Sequence, residues 1–175
     1  GAKIITVSHI GRDPKNTLKP VYENLDKLFP LSSFINNYFS ENSRKIIERM
    51  EEGDAVFFEN LRQHPEEEKN DQAFTKKLAL LADLYVNEAF SVSHRAHASI
   101  VGIPKIIPGF AGFIFQNEVK NLSRAFRPPH PFLFILGGAK FETKIPLIKK
   151  FIKTADHVFI GGSLATRFLK EGHEI

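Results

Sequence analysis

Apolar residues gather in five short, nearly continuous runs: KIITVSH at 3–9, DAVFFEN at 54–60, DLYVNEAF at 83–90, PFLFILG at 131–137 and HVFIG at 157–161. β-Branched and aromatic side chains dominate them, which predicts strands. Their continuity predicts burial on both faces, as in a parallel sheet. Between the runs the apolar period lengthens to that of a helix. Over 18–29, Leu18, Val21, Tyr22, Leu25, Leu28 and Phe29 share one face. Ser40 is placed to cap a helix over 41–52 that stops at Gly53. Asn70 or Asp71 would cap a helix through Ala82, with Phe74, Leu78 and Leu81 inward. Over 111–126, Phe115, Val119, Leu122 and Phe126 form another stripe. Proline is tolerated in a first turn, so a helix begins near Pro146, and a last one starts near Ser163. HPEEEKND at 64–71 reads as a solvated loop before a helix.

Strand and helix alternate along the chain, which predicts an α/β doubly wound architecture. RPPHP at 127–131 is rigid and follows a long helical pattern, as a boundary between two lobes would. Composition bounds this picture. Of 175 residues, 42% are hydrophobic and 25% charged, enough for one sizeable domain or one domain and part of another. The absence of cysteine excludes disulfides and thiolate zinc sites and fits a reducing, cytoplasmic setting. The longest uncharged runs, 106–117 and 128–139, have 12 residues each, too short to span a bilayer, and no signal peptide opens the chain. Net charge is +4 and the pI about 9.3, a balance that suits anionic partners. The cations are scattered and matched by acids rather than drawn into a stripe, which speaks against a nucleic-acid binder.

Charge matters more at particular places. In open α/β sheets ligands bind beyond the carboxyl ends of the strands. The first run is followed by His9-Ile10-Gly11-Arg12, the second by Asn60-Leu61-Arg62, and the third by Ser93-His94-Arg95-Ala96-His97. Three strand ends thus deliver three of the chain's eight arginines. Any one alone reads as half of a surface ion pair. Together they predict a basin for a small, highly charged anion, since guanidinium fits phosphate or carboxylate bidentately. The fourth run ends in Gly137-Gly138 with Lys140 and Lys144 ahead of a helix, and the fifth in Gly161-Gly162-Ser163. A lone Gly-Gly turn is a tight corner. Two on adjacent units, one with lysines, suggest a nucleotide-binding lobe. There is no G-x-x-x-x-G-K-[ST], no G-x-G-x-x-G and no H-E-x-x-H. HRA lacks the aspartate of a protein-kinase catalytic loop, where Ala96 stands instead. His94 and His97 flank Arg95, which would repel a metal cation, so no metal ligands are assigned.

The stretches GAKIITVSHIGR, FFENLRQHPEEEKND, LADLYVNEAFSVSHRAHASIVGIP and ILGGAKFETKIPLI resemble the phosphoglycerate kinase family, in order and spacing, over essentially the whole chain. The resemblance implies two lobes of Rossmann-like parallel sheet flanked by helices, the second truncated. It implies a phosphoglycerate lobe at 1–110, an interdomain helix at 111–127, and the start of a nucleotide lobe at 128–175. It implies a glycolytic phosphotransferase with a carboxyl group as acceptor, acting between 1,3-bisphosphoglycerate with Mg2+-bound ADP and 3-phosphoglycerate with ATP. It assigns His9, Arg12, Arg62 and Arg95 to the phosphoglycerate, and Lys140 to the transferring phosphoryl group. Gly138, Lys144, Gly161 and Gly162, with Lys140, fall to the nucleotide. A cytoplasmic monomer is expected of the full-length protein, with no nucleic-acid or membrane partner.

Departures from the family pattern are Gln63 for an aromatic, Ser91 for a glycine and Ser163 for the third glycine of a triple. The family's upstream aspartate, asparagine and arginine, and its later acidic and glycine-rich motifs, lie outside this sequence. The chain alone is therefore expected to be inactive. The alternative is a non-catalytic anion-binding or interaction module of the same fold.

Overall fold

The computed structural model describes residues 1–138 and 142–170. The chain divides into two compact units, Gly1–Phe115 and Gln116–Ile175. In the first, β1 (Ile4–Thr6), β2 (Ser33–Ile35) and β3 (Ala55–Phe58) form a parallel sheet in the order β1-β3-β2. Ile5 stands opposite Val56, and Phe34 opposite Phe57. A second parallel pair joins β4 (Tyr85–Asn87) to β5 (Gly109–Ala111). The core packs Ile35, Tyr38, Val56, Phe58, Phe74 and Leu78 around the central strand.

The helices start where local chemistry satisfies their free N–H groups. Ser40 caps α2 (Glu41–Glu48) by accepting the Ser43 N–H at 3.1 Å, worth about 1 kcal/mol. Asp71 caps α4 (Gln72–Ala79) through the Phe74 N–H at 2.8 Å. α1 (Lys19–Leu25) carries a proline in its first turn and stops short of Leu28 and Phe29, which are exposed. HPEEEKND is not a solvated loop. It holds α3 (Pro65–Lys69), with proline opening the turn, three glutamates favoured by the helix dipole and Asn70 closing it at φ 52°. Glu67 on this helix is buried.

In the second unit β6 (Leu133–Leu136) and β7 (His157–Ile160) pair in parallel. α6 (Ile145–Phe151) has Pro146 in its first turn, as expected, and α7 (Gly162–Lys170) begins beside Ser163. Ile148, Leu164 and Phe168 form a small core on one face of the pair. The chain passes between the units in α5 (Phe113–Ser123).

Further expectations change. Strands at Ser33–Ile35 and Gly109–Ala111 were not legible, because three residues show no period. Burial on both faces holds for β3, whereas β1, β4, β6 and β7 leave Ile4, Val86, Ile135 and Phe159 exposed. Along the 111–126 stripe, Val119 and Leu122 in α5 and Phe126 in the turn after it are exposed. No described helix is long and apolar enough to cross a membrane.

Candidate anion-binding site

Each loop beyond the sheet is fastened by a buried polar group that the apolar pattern does not reveal. β3 ends in Phe58, and the next two residues turn polar while staying inside. The Glu59 carboxylate accepts from the Thr17 hydroxyl at 2.5 Å and from the N–H groups of Leu18 and Asn60 at 2.6 Å each. The Asn60 side chain is fully buried. Its amide donates to the carbonyls of Ile10 at 3.3 Å and Asn16 at 2.9 Å, and its oxygen accepts the Ile10 and Arg62 N–H groups. An asparagine side chain has two donors and one oxygen with two lone pairs, so its capacity is filled. Glu59 and Asn60 thereby tie the loop carrying His9 and Arg12 to the loop carrying Arg62.

Within that frame the cations converge. Arg62 donates to the Gly11 carbonyl and lies 3.4 Å from a Glu68 oxygen, with its side chain only 8% exposed. Gly11 takes φ +63°, and a Cβ there would lie 2.3 Å from the Asn16 side chain, so the loop needs glycine. Burial holds the His9 pKa below its usual value, and the neighbouring charges of Arg62, Arg95 and His97 push it the same way. His9, Arg62 and Arg95 therefore share one electrostatic neighbourhood. Arg12 lies on the exposed side of the same loop as His9.

The Arg95 loop hangs between two fastenings. On the β4 side, Asn87 Nδ2 donates to Ser93 Oγ at 3.3 Å, and that hydroxyl donates to the Ala89 carbonyl at 2.8 Å. Beyond it, the Glu67 carboxylate accepts the Ser99 N–H at 2.9 Å and the Ser99 hydroxyl at 2.5 Å. His97 Nδ1 lies 3.8 Å from the same carboxylate, turned to structural use. His94 is exposed.

In the second unit the two glycine corners lie side by side. The Gly161 N–H donates to the Leu136 carbonyl at 2.9 Å, and Ser163 Oγ donates to the Gly138 carbonyl at 3.3 Å. Gly138 and Gly162 both take positive φ, 132° and 64°. Lys144 leads into α6 with its side-chain stem against Gly138. Lys140 lies outside the described residues. Among the described residues no three His, Cys, Asp or Glu side chains gather as a metal would require.

Of the residues singled out in the sequence, the structure ties Arg62 to the loop of His9 and Arg12, places Arg95 within electrostatic reach of His9, and separately sets Gly138, Lys144, Gly161 and Gly162 in adjoining turns. Glu59, Asn60 and Glu67 were missed as supports. The only sequence signal for the first two is a polar pair directly after FF; Glu67 has none beyond its place in a charged run.

Parallel strands flanked by helices, with arginines after the strands of one unit and glycine corners after those of the other, define the class as α/β, in which ligands generally bind beyond the carboxyl ends of the strands. The phosphoglycerate kinase family model matches residues 1–175. Phosphoglycerate kinases from Pseudothermotoga lettingae and Dictyoglomus turgidum are 43% and 45% identical to it, over 97% and 100% of this chain and 44% and 46% of their own. The solved structure of phosphoglycerate kinase from Coxiella burnetii aligns with TM-score 0.79 at 32% identity, over 99% of this chain and 46% of that one. That from Pyrococcus horikoshii aligns with TM-score 0.86 at 30% identity, over 99% and 47%. The chain belongs to the phosphoglycerate kinase family, and it spans about half the length of the relatives it matches.

Proposed function

We propose that the protein carrying this chain transfers a phosphoryl group between 1,3-bisphosphoglycerate and ADP, giving 3-phosphoglycerate and ATP. The bond between the acyl oxygen and phosphorus breaks, and a β-phosphate oxygen of ADP forms the new bond to phosphorus. The leaving carboxylate is the acceptor in the reverse direction. Both attacking oxygens are ionised, so no side chain has to remove a proton, and catalysis rests on positioning and charge stabilisation.

His9, Arg12, Arg62 and Arg95 would hold the phosphoglycerate. Gly138, Gly161 and Gly162 would offer close backbone approach to the nucleotide, with Lys144 toward its phosphates and Lys140 meeting the transferring group. Mg2+ would arrive on the nucleotide's phosphates and shield their charge. Among the described residues no three His, Cys, Asp or Glu side chains gather to hold it. In this reading 1–110 is the phosphoglycerate lobe, 111–127 the connecting helix and 128–175 the start of the nucleotide lobe. The passage from one compact unit to the other within α5 supports that division. A cytoplasmic monomer with small-molecule partners completes the reading.

The observation that carries the proposal is the fastening of the His9–Arg12 loop to the Arg62 loop, by the buried Asn60 amide and by the Arg62 guanidinium on the Gly11 carbonyl. The test is turnover of the full-length protein with ATP and 3-phosphoglycerate, coupled to reduction of the acyl phosphate. Turnover requiring both substrates is expected. None, with nucleotide and phosphoglycerate both still bound, would leave only an anion-binding module.

A further inference from the structure

Glu67 is a carboxylate at 3% exposure to which none of the roles above gives a chemical task. Burying a carboxylate is costly unless hydrogen bonds replace its water. Here they come from far along the chain. Oε2 takes the Ser99 N–H and Oε1 the Ser99 hydroxyl, 32 positions away. Ser99 lies in the first turn of the π-helical segment Ala98–Gly102, whose leading residue, His97, provides no side-chain cap. An anion at a helical N-terminus satisfies free N–H groups and favours the local dipole. Glu67 therefore caps, from α3, a turn that does not cap itself.

The other end of that turn is fixed by packing. A Cβ on Gly102 would lie 2.6 Å from Thr75 Cγ2, so the backbone sits tight against α4. Arg95 stands four positions before Ser99, between the Ser93 fastening and the Glu67 fastening. With Gly102 packed against Thr75, the Glu67–Ser99 hydrogen bonds are the next fastening toward Arg95 and His97. Glu67 Oε1 also lies 3.8 Å from His97 Nδ1, a second hold on the same loop.

We infer that Glu67 is a positioning residue for phosphoglycerate recognition: by gripping Ser99 and facing His97 it holds in place the loop that carries Arg95. Glu67 touches no substrate and acts through Arg95. This rests on the phosphoglycerate reading of the arginine basin.

The test uses the full-length protein with Glu67→Gln, Ser99→Ala, Arg95→Ala and the paired variants, measuring KM for 3-phosphoglycerate and for ATP. Glu67→Gln should raise the KM for 3-phosphoglycerate roughly tenfold, the size of one charge-assisted hydrogen bond, and leave that for ATP in place. Placed on Arg95→Ala, it should add little further loss, because its effect passes through that arginine. Where Glu67→Gln does not fold, Ser99→Ala carries the same comparison with a smaller effect. A rise in both KM values alike, or a full additional loss on the Arg95→Ala background, would overturn the inference. Loss with Arg95→Ala but none with Glu67→Gln or Ser99→Ala sinks the inference alone. No loss with Arg95→Ala sinks the site reading and the inference with it.

Discussion

His9 is held toward its neutral form by burial and by Arg62, Arg95 and His97. An anion seated among those groups reverses the balance, because it favours the imidazolium. Binding of 3-phosphoglycerate should then take up a proton at His9, and affinity should strengthen as pH falls from about 7 toward about 6. Calorimetry of the full-length protein in buffers of different ionisation enthalpy reads this directly. Buffer-dependent enthalpies that vanish in His9→Gln are expected; identical enthalpies in wild type would contradict the placement. At this scale the sequence exposed the cations and hid their supports. His9, Arg12, Arg62 and Arg95 stand out because each lies at or within a few positions of the end of an apolar run. Glu67 and Asn60 look like members of polar stretches until the fold shows that each is buried against distant partners.

Elements were legible where capping chemistry agreed with the apolar period. Ser40 and Asp71 announce α2 and α4, and both cap as expected. The start of α5 was misplaced by two residues, since Ala111 belongs to β5 and Phe113 opens the helix. The reason is tertiary: Glu88, after β4, accepts the Phe115 N–H at 3.0 Å and the Ile114 N–H at 3.4 Å. Gly112 makes room for it, since a Cβ there would lie 2.1 Å from the Glu88 carboxyl group. Gly112→Ala should therefore displace Glu88, uncap α5 and destabilise the protein by about 1–2 kcal/mol. Urea unfolding checks this. An unchanged or raised midpoint, as glycine replacement gives where space allows, would count against it.

Across the whole chain, the strands differ in how their two faces are covered. The first unit buries β3 on both faces. The second unit packs Ile148, Leu164 and Phe168 on one face of β6 and β7, leaving Leu133, Ile135 and Phe159 at 53%, 65% and 60% exposure. The apolar runs made these strands visible, but a run does not say what covers its second face. Exposed apolar clusters bind hydrophobic probes. The isolated 175-residue chain should bind an anilinonaphthalene dye strongly, and Ile135→Lys should weaken that binding. Dye fluorescence indifferent to Ile135→Lys would show that this face is not the exposed one.

The central claim is a division of labour, with phosphoglycerate held by the arginine basin of Gly1–Phe115 and nucleotide by the glycine corners and Lys144 of Gln116–Ile175. Calorimetric titration of Arg95→Ala and Lys144→Ala in the full-length protein tests both halves together. Arg95→Ala should weaken 3-phosphoglycerate at least about tenfold and leave ADP unchanged, and Lys144→Ala should do the reverse. Equal losses of both ligands in either variant, or the opposite pairing, would contradict the account.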